Sequence, residues 1–246
     1  MTHLSWQNGY IRNDDAALYY EVHQGIPDDA PLLFLLHGNR EDMHVFDGHI
    51  EGLLPYYTVI TVDTRGQGKS ARGTRDLSYD LFAEDLFTLV NKLHIGTFLI
   101  LGFSDGANIA MELALRHQER LAAMILVGGN LFPDGLQAMF RVSLKLHLFG
   151  ERLKNFIQRD KHGHGELTNL MLTSPSIDPE RLKTITVPTL IINGEKDIVT
   201  DEHGVLIATS LPNARRVVIG GASHFVMKDA PEEFDRLVLE FLLEED

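Results

Sequence analysis

Short, uninterrupted apolar runs recur along the chain at intervals that suit a sheet covered on both faces. Leu32–Leu36, Thr58–Val62, Thr97–Leu101 and Met124–Val127 are such runs, and Pro188–Ile192 and Arg216–Ile219 complete the series. Apolar character without alternation predicts strands buried on both sides. Between the runs lie stretches of helical period. Tyr79, Phe82, Leu86, Leu89, Val90 and Leu93 recur at spacings of three and four and share one helical face. Ala107, Ile109, Ala110, Met111, Leu113, Ala114 and Leu115 run nearly all round their helix, as a helix packed centrally on a sheet requires. Met43–Leu54 and Asp201–Leu211 read as further helices. A last helix follows Asp229 as cap, with Pro231, Glu232 and Glu233 in its first turn and Phe234, Leu237, Val238, Phe241 and Leu242 on its buried face. Near the start, Tyr10–Arg12 and Leu18–His23 flank a polar turn and predict a β-hairpin.

Strands alternating with helices imply an α/β fold with a mostly parallel sheet, whose right-handed crossovers gather the loops after the strands on one edge. One segment breaks the alternation. From Leu131 to Pro179 the chain reads as helical in pieces, with Leu136, Met139, Phe140, Leu144, Leu148, Leu153, Phe156 and Ile157 apolar, and is a candidate lid. The expected organisation is a core of residues 1–130, a helical lid over 131–183 and a second core segment over 184–246.

At 246 residues, 44% of them hydrophobic, the chain suits one large domain with its own core. Its formal net charge of −13 gives an acidic surface that repels nucleic acid and anionic membranes. The candidate lid is near neutral, so the remaining body holds almost all of that charge. There is no cysteine, hence no disulfide framework, thiol nucleophile or thiolate metal site. Neither a signal-like N-terminus nor an apolar run of membrane-spanning length is present, and the reading is a cytoplasmic protein.

The candidate chemistry begins at Gly102-Phe103-Ser104-Asp105-Gly106, which sits between a predicted strand and a predicted helix. Glycines two residues either side of a serine relieve the crowding of a sharp turn that lifts the hydroxyl clear of the sheet. The Asp105 N–H is left unpaired at a helix N-terminus, where negative charge is favoured. The Asp105 carboxylate itself reads as dipole complementarity in that first turn. His37-Gly38-Asn39 follows another strand, and the Asn39 N–H can point over the sheet edge. Asp197 and His224 also follow strands, so an imidazole base and an orienting carboxylate can converge on Ser104. Asp134 is an alternative acid, and His37 and His44 are alternative bases.

Two stretches imitate other sites. Gly68-Lys69-Ser70 resembles the end of a phosphate-binding loop, but Asp63 stands where that motif needs glycine. Gly66-x-Gly68 lacks the helix that must follow a dinucleotide fingerprint. The expected role of Asp63 and Arg65 is a local pair that shapes their loop. His162-Gly163-His164 is a candidate metal pair without a third ligand nearby in sequence.

With these segments in this order, nearly the whole chain resembles the α/β-hydrolase fold family. The resemblance rests on His37-Gly38, Asp63–Ser70, Gly102–Gly106, Asn193-Gly194-Glu195-Lys196-Asp197 and Gly221-Ala222-Ser223-His224, and on the chain order Ser, Asp, His. It implies an eight-stranded sheet with its second strand antiparallel and a lid after the sixth strand. It also implies Ser104 as nucleophile, Asp197 as acid, His224 as base and the N–H groups of Asn39 and Asp105 as oxyanion hole. The expected activity is cofactor-independent hydrolysis of a small or medium carboxylic ester, with no metal. Carbon–carbon bond, lactone or amide hydrolysis, perhydrolysis, and a non-catalytic ligand sensor are the alternatives. Epoxide or haloalkane hydrolysis is disfavoured, because family members with those activities carry aspartate where this chain has Ser104.

Overall fold

A computed structural model describes residues 8–158 and 165–244. Eight strands form one sheet: β1 (Gly9–Asn13), β2 (Ala16–His23), β3 (Leu32–Leu36), β4 (Thr58–Val62), β5 (Phe98–Phe103), β6 (Leu121–Val127), β7 (Thr189–Lys196) and β8 (Ala214–Ser223). Their spatial order is β1-β2-β4-β3-β5-β6-β7-β8. Among the described residues only β2 runs against its neighbours, and every pairing from β4 to β8 is parallel. The apolar runs do what their composition dictates. On one face Phe34, Leu36, Ile60, Ile100 and Met124 pack under α2 (Tyr79–Lys92) and α3 (Asp105–His117), which follow α1 (Asp47–Leu53) in the chain. On the other face Leu33, Leu35, Val59, Leu101 and Ile125 form a second core with residues of α1. Each such side chain contributes roughly 1.5–3 kcal/mol by leaving water.

Between β6 and β7 stand α4 (Ala138–Gln158), α5 (Gly165–Thr173) and α6 (Pro179–Leu182). The chain then adds α7 (Asp201–Ser210), α8 (Val226–Asp229) and α9 (Pro231–Glu244), and the apolar face of α9 closes the second core. Side chains set several helix starts: Ser78 accepts the Leu81 N–H at α2, and Thr200 accepts the His203 N–H at α7.

Three expectations need correction. The last apolar run ends at Ile219, yet Gly220–Ser223 also belongs to β8, because Gly194 and Lys196 of β7 pair with Ile219 and Ser223. Asp229 does not cap the last helix. It ends α8, and its carboxylate accepts the Ser223 N–H at 2.7 Å. Asp63 and Arg65 do not pair with each other. Arg65, fully buried, grips Asp85 of α2 through two bonds of 2.7 Å and reaches Asp15 at 2.7 Å. Asp63 instead accepts the N–H groups of Met43 at 2.9 Å and Lys69 at 2.7 Å. A buried guanidinium takes whichever carboxylates the packing places around its planar fork, and here these lie 20 and 50 residues away. Removing one partner of such a pair costs about 3–5 kcal/mol.

Candidate active site

β3, β5, β7 and β8 are parallel, so the residues that follow them emerge at one edge of the sheet. At the end of β5 the chain turns at once into α3 through Ser104, whose φ of 54° lies in the left-handed region. That conformation costs a non-glycine residue about 1–3 kcal/mol. It is held because the Ser104 N–H donates to the Val127 carbonyl at 2.7 Å, while the Ser104 carbonyl accepts from Ala107 and Asn108. The flanking glycines are required for space: a Cβ at Gly102 would overlap the Gly106 carbonyl, and one at Gly106 would overlap that of Leu36.

The Ser104 Oγ lies 3.0 Å from His224 Nε2, and His224 Nδ1 lies 2.6 Å from Asp197 Oδ1. A carboxylate only accepts, so the ring proton sits on Nδ1 and the Nε2 lone pair faces the serine hydroxyl. Asp197 is itself anchored by the Val199 N–H at 3.0 Å and the Asn193 side-chain amide at 3.2 Å. Burial pushes its carboxyl up, but His224, the Val199 N–H and Asn193 together outweigh burial and hold it below the usual carboxylate range. Asn193 is in turn oriented by Arg216, whose Nε donates to its Oδ1 at 3.0 Å. Behind the imidazole, Gly128 has φ of 61°, and a Cβ there would stand 2.6 Å from the His224 ring.

Asp105 follows Ser104 in the chain, and Asn39 lines the same cavity as Ser104. Among the described residues, no protein acceptor is bonded to the main-chain N–H of either. The loop carrying Asn39 is braced from below. His37 Nε2 accepts the Thr64 N–H at 3.0 Å, His37 Nδ1 donates to the Gly38 carbonyl at 2.7 Å, and Gln67 Oε1 accepts the Arg40 N–H. The stretch that imitates a phosphate loop is therefore scaffolding for this turn.

Ser104 and His224 open on a cavity of about 250 Å³ whose other walls include Phe103, Phe140 and Leu144 of α4, Met171 of α5 and Phe225. Arg40 and Glu41 are its charged members. A larger cleft of about 410 Å³ lies behind Asp197, with Asn193, Glu195 and Arg216 in its wall and neither Ser104 nor His224. The chemistry of the first cleft, not the size of the second, marks the candidate site.

The sequence model of the alpha/beta hydrolase fold matches residues 31–166, more than half of the chain. The protein belongs to the alpha/beta hydrolase fold family. As a hydrolase of this fold it is similar to 2-hydroxy-6-oxononadienedioate/2-hydroxy-6-oxononatrienedioate hydrolase 2 of Pseudomonas putida, at 28% identity over 95% of both chains. In structure it is similar to a thermophilic esterase from Thermogutta terrifontis, with a TM-score of 0.80 and 22% identity over 98% of this chain and 99% of that one. It is similar also to the enol-lactonase of Burkholderia xenovorans LB400, with a TM-score of 0.79 and 21% identity over 96% and 100% of the two chains. These two likenesses concern the fold.

Within this hydrolase the rival residues lie elsewhere. Asp134 is largely exposed and pairs with Arg141. His44 is exposed and faces Asp47 at 3.2 Å. His37 is fully buried between Thr64 and Gly38, and burial lowers its pKa. His162-Gly163-His164 falls outside the described residues. Among those described, no group of three or more His, Cys, Asp or Glu is placed to hold a metal, and no helix is long and apolar enough to cross a membrane. Gly128, Arg216 and Tyr79 carry no motif of their own. Asn193 opens the Asn193–Asp197 motif, and that is the sequence signal that marks it.

Asp105 stands in the first turn of α3, as expected, and its side chain has further partners there. It is buried, Oδ1 accepting from the Tyr79 hydroxyl at 2.7 Å and Oδ2 from the Asn39 side-chain amide at 2.8 Å. Burial raises its carboxyl above the usual range despite both bonds.

Proposed function

We propose that the protein hydrolyses a small or medium carboxylic ester through an acyl-enzyme on Ser104. The observation that carries the reading is the Ser104 Oγ at 3.0 Å from a His224 ring whose other nitrogen is held by buried Asp197, with Ser104 and His224 at the wall of one cavity. A serine hydroxyl is a weak nucleophile, so it attacks as His224 Nε2 takes its proton. Asp197 then stabilises the imidazolium without accepting the proton. The carbonyl oxygen becomes an oxyanion between the N–H groups of Asn39 and Asp105, each worth about 100- to 1,000-fold in turnover. His224 passes its proton to the leaving alcohol, and water returns by the reverse route to release the acid. No cofactor enters this sequence of steps.

The described helices within 131–183 act as a lid over this site. Phe140, Leu144 and Met171 supply apolar walls, which favour an apolar acyl or alcohol group of limited size. A second reading, hydrolysis of a lactone or of a carbon–carbon bond next to a ketone, draws support from the relative that hydrolyses 2-hydroxy-6-oxononadienedioate and from the enol-lactonase neighbour. Specificity of this kind is set by pocket walls rather than by the serine, histidine and aspartate.

The test is a panel of p-nitrophenyl esters, lactones and vinylogous diketones offered to the wild type and to Ser104→Ala. The reading predicts that the variant folds and loses nearly all turnover of every compound the wild type accepts. Esterase activity that survives in Ser104→Ala would reject the assigned nucleophile. A wild type active on lactones or diketones but not on esters would shift the reaction to the second reading.

A further inference from the structure

The two residues proposed to supply the oxyanion-binding N–H groups are bound to each other by their side chains. Asn39 Nδ2 donates to Asp105 Oδ2 at 2.8 Å and also reaches the Leu167 carbonyl of α5 at 3.2 Å. The other oxygen of Asp105 accepts from Tyr79, the first residue of α2. The bridge therefore joins the loop after β3, the start of α3, the start of α2 and a helix of the proposed lid.

Two features indicate that the bridge is held against a cost. Both neighbours of the Asn39 amide are acceptors, so its NH₂ must face them, and this leaves Asn39 Oδ1 buried with no partner among the described residues. An unpaired buried carbonyl of this kind costs about 1–3 kcal/mol. Asp105, for its part, is a carboxylate taken wholly out of water beside a site where negative charge is to develop. A small apolar residue would avoid that expense.

On the reading of Ser104 and its two donors, we propose that Asp105 is a positioning residue whose carboxylate fixes Asn39, and so sets where the Asn39 N–H stands for the oxyanion. Tyr79 fixes the carboxylate in turn. Burial, with the Asp105 charge adding to it, pushes the Tyr79 phenol far up, so the hydroxyl stays a donor. The Asn39 contact to Leu167 carries the position of α5 into the same loop. Position, rather than charge, is the contribution of Asp105. Its charge acts in the opposite sense, disfavouring an oxyanion nearby.

That opposition makes the proposal testable. Asp105→Ala, Asp105→Asn, Asn39→Ala and the double Asn39→Ala/Asp105→Ala variant are compared on the best ester. Each preparation is normalised to its reactive serine by titration with a fluorophosphonate. Asp105→Ala and Asn39→Ala are each expected to lower kcat about 10- to 100-fold with KM within about threefold, less than outright loss of a donor. The double variant is expected to lose no more than the worse single one, because both cut one link. Asp105→Asn keeps an oxygen for Asn39 and offers its NH₂ to the Tyr79 oxygen, so it should fall between wild type and Asp105→Ala. Affinity for a boronic acid, which forms a tetrahedral adduct, should fall with kcat. A merely structural role would lower the melting temperature and leave kcat per reactive serine unchanged. Losses that multiply in the double variant, an unchanged kcat, or an Asp105→Asn enzyme faster than wild type would each overturn the proposal. Asn39→Ala removes a partly exposed side chain and keeps the measurement available if Asp105→Ala does not fold. Failure of the wild type to be labelled at Ser104 would instead reject the underlying reading, whatever the Asp105 variants do.

Discussion

Helices α3 and α4 are both rich in apolar residues, yet the fold treats them in opposite ways. α3 buries Gly106 through Met111 without a break, and Leu113 and Ala114 after them, because the sheet lies under it and α2 beside it. α4 turns Phe140, Leu144 and Leu148 inward at spacings of four and leaves Met139, Val142, Leu146, Phe149 and Leu153 exposed. The first helix is fixed on every side, and its first turn holds the strained Ser104. The second is held along one edge, where it supplies wall to the cavity. On the proposed function, reaction chemistry, which needs groups held to within fractions of an ångström, belongs to the body, and discrimination between substrates to the helices laid over it.

The comparison breaks most visibly if changes in the body spare any substrate. Asp197→Asn removes the acceptor that fixes the His224 tautomer and should lower kcat about 10⁴-fold on every accepted compound alike. Gly106→Ala places a methyl group on the Leu36 carbonyl and should cost about 3 kcal/mol or more, read as a fall in the melting temperature or as loss of soluble protein. A Gly106→Ala protein with unchanged melting would show that the turn at Ser104 has room for a Cβ there.

Acid sensitivity is the next effect in size, and it belongs to the body as well. Burial lowers the His203 pKa to about 4, and its Nε2 accepts the Leu131 N–H at 2.8 Å. Between the ordinary histidine pKa of about 6.5 and pH 4 the unfolded chain binds a proton that the folded chain refuses. This contribution is therefore complete above about pH 6.5 and is lost as the pH falls toward 4, with a difference on the order of 1–3 kcal/mol. Denaturant titrations of the wild type and His203→Gln, whose side-chain oxygen can still accept from Leu131, should show a shallower acid slope in the variant. Equal slopes would refute the assignment.

Changes in α4 should be smaller and selective. Phe140→Ala opens the cavity wall and should alter kcat/KM about tenfold between short and long acyl esters, with little change on the shortest. Phe149→Ser, on the exposed face, should shift stability by less than about 0.5 kcal/mol and leave the ester profile as it was. If Phe149→Ser changed substrate preference as much as Phe140→Ala, the two faces of α4 would not divide the work in this way.

Local pattern makes the body legible in the sequence. Buried strands are written as unbroken apolar runs, and α2 and α9 as apolar residues at helical spacing, because each pattern follows from one element's own geometry. The sharp turn at Gly102–Gly106 is legible for the same reason, since the crowding at Ser104 constrains its immediate neighbours. Arg65 departs from the local pairing its neighbourhood suggests, because the choice of a buried guanidinium's partners is made by packing across the fold, and Asp85 and Asp15 carry no local mark of it. Gly220–Ser223 reads as loop by composition, yet pairing with β7 overrides that preference. Asp105 looked like an ordinary first-turn acid, and only the approach of two other elements reveals that Tyr79 and Asn39 hold it. Of the candidate site, the residue types and their places after strands were visible in sequence. The bonds among them were not, since each joins segments from different parts of the chain.

The central claim is that Ser104 is the group made reactive by His224. Its most direct test is the intact mass of the protein after brief exposure to a fluorophosphonate, followed by peptide mapping. The account predicts one adduct per chain, located on Ser104, abolished in Ser104→Ala and slowed at least 100-fold in His224→Ala. An unmodified wild type, or an adduct that persists in Ser104→Ala, would contradict it.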